Sequence, residues 1–181
     1  MSIYTLIPYD TEQNLGGAYN KFMDLLEDDD WAVFLDHDAM FTTPDWMNII
    51  EKTIKENPEY GFFTCLTNRI GSAWQKIEDV DEENHDIRYH RKVGNRVSLR
   101  NLPKVTDATN APYMSGVVMI VKKSVWKDLG GAPEGMLGVD GQLHIRCRES
   151  NIKLGLMNNL YVYHWYRGDG NKDHLHNKQG Y

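Results

Sequence analysis

The stretch Trp31-Ala32-Val33-Phe34-Leu35-Asp36-His37-Asp38 decides how this chain is read. A short run of bulky apolar residues ends in two carboxylates flanking a histidine. Acidic residues 27–30 precede it, and Thr42-Thr43-Pro44 follows shortly after. A run of this length between polar boundaries predicts a buried strand. Side chains alternate along a strand, so Asp36 and Asp38 are expected on one face and His37 on the other. Two carboxylates at a strand exit repel each other unless positive charge lies between them. An oxygen-seeking divalent cation, Mn²⁺ or Mg²⁺, supplies that charge. The plainer alternative is a pair of solvated acids at a loop entry, since Asp-x-Asp is a common tripeptide.

Upstream of this stretch, residues 3–7 read as a strand stopped by Pro8. Gly16-Gly17 opens a helical pattern in which Ala18, Phe22, Leu25 and Leu26 recur near one face. The two glycines permit close backbone approach to a ligand or a neighbouring element. Downstream, Thr43 is expected to cap a helix that has Pro44 in its first turn and runs to about Glu56, ended by Asn57-Pro58. Residues 61–66 form a further strand. Strands alternating with helices predict an α/β fold with a mostly parallel central sheet flanked by helices.

Residues 68–112 break the pattern. An acidic run, Glu78-Asp79-Val80-Asp81-Glu82-Glu83, is followed by Arg88, His90, Arg91, Lys92, Arg96 and Arg100, with poor apolar periodicity. They read either as an irregular excursion with solvated charges, or as a loop that covers a ligand and extends a basic residue to its phosphates. Regularity returns with a strand over 115–121 and a short helix over 125–129, capped by Ser124 and stopped by Gly130-Gly131. A helix over 140–149 and two short strands, 153–157 and 160–165, complete the pattern. These elements are expected to make one domain over residues 1–166. Residues 167–181 are a polar, Gly-rich tail with His174 and His176, expected to be disordered unless a ligand orders it.

The 181 residues carry a net charge of −6, which argues against a nucleic acid held by its backbone. A nucleotide bridged by a metal remains compatible with that charge. Cys65 sits in an apolar run and reads as a buried thiol; with only two distant cysteines, a reducing, cytoplasmic location is expected. Met1-Ser2-Ile3-Tyr4 reads as no signal peptide, and no apolar run reaches the roughly 18 residues of a membrane span.

Seven short matches now stand in order: Leu6-Ile7-Pro8-Tyr9, Asn14-Leu15-Gly16-Gly17-Ala18-Tyr19-Asn20, Phe34-Leu35-Asp36-His37-Asp38, Met114-Ser115-Gly116-Val117, Leu129-Gly130-Gly131-Ala132-Pro133-Glu134, Val139-Asp140-Gly141 and Val162-Tyr163-His164. In this order the chain resembles the GT-A glycosyltransferases, closest to family 2 and in a shortened form. The resemblance implies a nucleotide-diphospho-sugar transferase fold and transfer of a sugar, from a UDP-sugar, to a carbohydrate or protein acceptor. It implies Mn²⁺ or Mg²⁺ on Asp36, Asp38 and His164, with Asp38 the direct ligand and Asp36 near the ribose or a bound water. It makes Asp140 the general base of an inverting reaction, although that residue type also caps helices without chemistry. It sets Pro8, Tyr9, Asp10, Asn14, Gly17, Asp36 and His37 around the nucleotide. One departure is plain: the family's long segment with a base-binding aspartate, between its first strand and the Asp-x-Asp, is missing. Tyr9, to stack on a base, and Asp10, to accept from its N–H groups, are the candidates left. A nucleotidyltransferase is the rival enzyme, but residues 8–14 lack the Lys or Arg it needs. A nucleotide-sugar-binding module without turnover is the non-enzymatic alternative.

Overall fold

A computed structural model describes residues 1–100 and 102–165; the expected tail, with His174 and His176, lies outside the described residues. The first strand, β1 (Ile3–Leu6), is followed by α1 (Leu15–Met23), β2 (Trp31–Leu35), β3 (Ala39–Phe41), α2 (Trp46–Glu56) and β4 (Tyr60–Thr67). A 3₁₀ turn (Ala73–Gln75) leads to α3 (Ile87–Ser98), β5 (Val105–Asp107), β6 (Val118–Lys122), α4 (Lys123–Asp128), α5 (Val139–Glu149) and β7 (Lys153–His164). The fold is α/β, built on one open sheet in the order β1-β2-β6-β4-β7-β3, with β5 also paired to β7.

The sheet is mixed, which corrects the expectation of a mostly parallel one. β1 pairs with β2, and β4 with β7, in parallel, whereas β6 runs antiparallel between β2 and β4. The strand-helix-strand reading of the first third therefore holds for direction, since β1, β2, β4 and β7 all run the same way. It fails for adjacency, because a strand from much later in the chain separates β2 from β4. Long β7 carries β4 along one side, and on the other β5 and then β3, both antiparallel.

Strand alternation distributes the core over two faces. Ala32, Phe34, Met119, Val121, Phe62 and Leu154 point to the side covered by α1, α3, α4 and α5. Trp31, Val33, Leu35, Val118, Ile120 and Phe63 point to the other, where Ile50 and Ile54 of α2 close the cluster. A sheet buried on both faces accounts for strands that read as unbroken apolar runs. Cys65 and Cys147 are free and buried, and burial raises both thiols, Cys147 to about 12.

Four local expectations need correction, the simplest being Ser124, which lies inside α4 behind Lys122 instead of capping it. The 68–112 excursion contains α3, a 12-residue helix whose inward residues are His90, Val93, Gly94 and Val97. This is full helical spacing, but a histidine and a glycine occupy half of it, so an apolar count misses it. Buried His90 donates from Nε2 to the Asn84 carbonyl at 2.6 Å, and its Nδ1 shares a 2.7 Å bond with the Tyr161 hydroxyl. The strands expected at 153–157 and 160–165 are one strand: β7 continues through Asn158-Asn159, and its register with β4 shifts between Cys65 and Leu66. Thr43 does not cap α2, which starts behind Asp45 in the left-handed region (φ 53°). The Thr43 hydroxyl instead donates to the Tyr161 carbonyl at 3.0 Å and accepts from the Tyr161 amide at 2.9 Å.

Gly94 lets α3 lie directly on this Thr42-Thr43 segment, since a Cβ there would meet the Thr42 carbonyl oxygen at 2.6 Å. Gly94→Ala is expected to lower stability by about 1–3 kcal/mol through overpacking. Urea unfolding midpoints measure it, and a midpoint equal to or above that of the parent protein refutes this packing.

Candidate metal centre

Strands β1, β2, β4 and β7 all end at one end of the sheet, and β6 begins there. Carboxyl-terminal strand ends are where open α/β sheets bind ligands. Asp36, Asp38, Asn68 and His164 each sit at or just past such an end.

The convergence of the two aspartates does not come from strand alternation. β2 stops at Leu35, and residues 36–39 form a turn closed by the Ala39 amide donating to the Asp36 carbonyl at 3.1 Å. The chain then enters β3, where Ala39 faces His164 in the β7 register, and the Trp165 amide donates to the Asp38 carbonyl at 3.0 Å. This pairing delivers the imidazole. One ligand atom from each of Asp36, Asp38 and His164 lies within 4.8 Å of the others. His37 points out to solvent beside them.

The imidazole is held in one orientation. His164 Nδ1 donates to the Arg69 carbonyl at 2.9 Å, which leaves Nε2 facing Asp38 Oδ1 at 3.3 Å. At that separation the Nε2 atom and the Asp38 carboxylate can both turn toward one metal ion. The donor set, two carboxylates and an imidazole, suits Mn²⁺ or Mg²⁺ together with further oxygen ligands. Asn68 adds a clamp that sequence reasoning missed: its Oδ1 accepts from the His164 amide at 2.8 Å and its Nδ2 donates to the His164 carbonyl at 3.1 Å. The available signal was positional, a polar residue just past an apolar strand at the ligand end of the sheet.

The electrostatics separate the two acids. Burial pushes the Asp36 carboxyl up to about 6; the Asp38 and Asp140 charges add to this, and His164 and His37 oppose it. Burial also acts to raise Asp38, but the hydrogen bond and charge of His164 outweigh it and hold that carboxyl below its ordinary value. Asp140, in the first turn of α5, accepts from the Gly116 amide at 2.7 Å and the Gly141 amide at 2.8 Å. One residue along, the Val117 carbonyl accepts from the Asp36 amide at 3.1 Å, so the Gly116-Val117 step ties the two acids together. Tyr19 packs against Phe34 (ring centroids 4.8 Å apart), and burial and then the Asp36 and Asp140 charges push its phenol up. It stays a protonated donor.

The remaining expected residues sort differently. Tyr9 is 80% exposed, and Pro8 is half-buried beside it at the end of β1. Asp10 accepts from the Glu12 amide at 2.8 Å and the Asn14 amide at 3.3 Å, which hold its carboxyl low, and it pairs with Lys21 at 3.6 Å. Asn14 caps α1 by accepting from the Gly17 amide at 2.9 Å, and it accepts from the Gly135 amide at 2.9 Å as well. Gly16 abuts the Pro133 carbonyl so closely that a Cβ would sit 1.7 Å from it. In this structure Asn14 and Gly16 dock the 132–138 loop onto α1, and that loop leads to Asp140. A hollow of about 620 Å³ at the opposite end of the sheet is lined by Trp31, Tyr60 and Lys122, and no candidate residue reaches it.

Comparison of the sequence with protein-family models and with curated proteins finds no match. Among the described residues no helix is long and apolar enough to cross a membrane.

Two expectations follow for this centre. Asp36 has a folded value of about 6 against an ordinary 3.8, so the metal-free fold holds an extra proton between those values and loses stability as pH rises through 6. Asp36→Asn is therefore expected to stabilise the metal-free protein at pH 7 by on the order of 1–2 kcal/mol while weakening Mn²⁺ binding. Denaturant midpoints at pH 5 and pH 7 measure it; a variant no more stable than the parent at pH 7 refutes the burdened carboxylate. Asn68→Ala removes both bonds to the His164 backbone, and is expected to weaken Mn²⁺ binding by about 10–100-fold. Calorimetric titration reads this, and unchanged affinity denies Asn68 its positioning role.

Proposed function

We propose that this chain is a metal-dependent glycosyltransferase that moves a sugar from a nucleotide-diphosphate sugar, a UDP-sugar, to an acceptor hydroxyl with inversion. The observation that carries the reading is the meeting of Asp36, Asp38 and His164 at the carboxyl end of the sheet, with Asp140 tethered one residue from the same backbone step. These are the residues that the resemblance assigns to metal and base, and they come from three separate parts of the chain: the turn after β2, the start of α5 and the end of β7.

Asp36, Asp38 and His164 would hold Mn²⁺ or Mg²⁺, which when bound supplies Lewis-acid stabilisation of a leaving diphosphate. Asp140 accepts the proton of the acceptor hydroxyl as that oxygen attacks the anomeric carbon, and the nucleoside diphosphate leaves from the opposite face. Each Asp140 oxygen already accepts one backbone amide, which fixes the carboxylate and leaves each oxygen a second lone pair for the incoming hydroxyl. Tyr19 is buried close enough to Asp36 and Asp140 to feel both charges.

The same two amide bonds on Asp140 favour a second reading, a nucleotide-sugar-binding module in which this aspartate is only a tether. A panel of nucleotide sugars assayed for Mn²⁺-dependent release of nucleoside diphosphate separates the two. Release is expected from at least one donor, lost in Asp38→Ala and reduced by about 10²–10⁴-fold in Asp140→Asn. Nucleotide binding without any release supports the binding module instead, and normal rates in both variants overturn the transferase assignment.

A further inference from the structure

Asp38 has two neighbourhoods. One contains Asp36 and His164; the other is an open recess of about 460 Å³ lined by His37, Asp38, Met40, His85, Tyr163 and Trp165. Neither Asp36 nor Asp140 lines it. Met40 and Trp165 are each 48% exposed although both flank the paired ends of β3 and β7. Large apolar side chains grouped at the mouth of a hollow mark a contact surface.

The wall opposite Asp38 is built in advance. His85 comes from the acidic loop ahead of α3, and its Nδ1 shares a 2.8 Å hydrogen bond with the Tyr163 hydroxyl. Its ring meets Tyr163 edge-on at 6.3 Å and Trp165 edge-on at 6.4 Å. The loop is fastened on both sides of the site: Glu82 pairs with Lys76, Glu83 pairs with Arg69 at 3.4 Å, and the Asn84 carbonyl accepts from buried His90. Arg69 is also the residue whose carbonyl orients His164. The excursion, read from sequence either as irregular with solvated charges or as a loop over a ligand, contributes His85 to one side of this recess.

Its lining combines the flat face of Trp165, the flexible Met40 side chain and the largely buried Tyr163 ring with a carboxylate and two imidazoles. That is the complement of a pyranose, which has an apolar C–H face and hydroxyls around its rim. The carboxylate accepts from hydroxyls, and the imidazoles both donate and accept. Asp140 is absent from the lining, so a ring seated here is not the one whose hydroxyl reacts.

We propose that this recess is a saccharide subsite, with Trp165 as its platform, that holds a non-reacting ring of an oligosaccharide acceptor. The assignment of the ring to an acceptor rests on the glycosyltransferase reading; the recess as a carbohydrate site does not. The test is a calorimetric and saturation-transfer NMR titration of the full chain with Mn²⁺ present. Probes are maltose, cellobiose, lactose and chitobiose, each beside its methyl monosaccharide, and UDP. At least one disaccharide is expected to bind about tenfold more tightly than its monosaccharide, with Trp165→Ala erasing that difference and Trp165→Phe keeping most of it. Thermal unfolding of the variants checks that they are folded, and His85→Ala serves as a second probe of the same wall. No disaccharide binding by the parent protein, or binding unchanged in both Trp165→Ala and His85→Ala, overturns the proposal. Loss of UDP rather than disaccharide affinity in Trp165→Ala also overturns it, and makes the recess a nucleobase pocket. Disaccharide binding by a protein that takes neither Mn²⁺ nor UDP upholds the carbohydrate site while removing the transferase reading.

Discussion

The pairing of β3 with the far end of β7 holds the candidate site together. Ala39 lies opposite His164, and the Trp165 amide closes on the Asp38 carbonyl. Without that ladder the Asp36–Asp38 turn would be an exposed acidic loop and His164 would end an unrelated strand. The cost of gathering the acids is visible in Asp36, whose carboxyl is pushed well above its ordinary range by burial. Groups held against their solvation preference at a concave sheet end are the usual signature of a site rather than of packing.

The surroundings of that ladder are consistent in direction. Thr43 ties the start of the β3–α2 connection to Tyr161, Asn68 clamps the backbone of His164, and α3 presses on the Thr42-Thr43 segment through Gly94. On the other flank, Asn14 and Asn20 fasten the loop after α4 to α1, with Asn20 holding both the amide and the carbonyl of Ala132. Several of the chain's buried or half-buried polar side chains thus hold loops at the ligand end of the sheet. Such side chains are costly to bury unless bonded, and Thr43, Asn68, Asn14 and Asn20 are bonded here.

Much of this was open to a reading of residues alone. The apolar runs of β2, β4 and β6 and the acid pair after β2 are local features, as is the Val139-Asp140 helix start. Inside–outside periodicity encodes them over a few residues. Helix α3 was not legible because His90 and Gly94 stand where apolar residues would mark the inward face, and both are accepted only because Tyr161 and Thr42 meet them there. The same holds for β7, where Asn158-Asn159 resembles a turn until Asn158 is seen bonding to Pro103 and Thr106 on the β5 side.

The sequence by itself determined that the chain would form alternating strands and helices and that acids and a histidine would stand at strand exits. Those outcomes depend on neighbours within one or two turns of chain. Only the tertiary structure decided that β6 enters backwards between β2 and β4, that β7 meets β3, and that His85 returns to face Asp38. Each of these contacts joins residues tens of positions apart. Which partners a strand edge accepts is set by how the whole sheet buries both its faces, a condition that no local pattern carries.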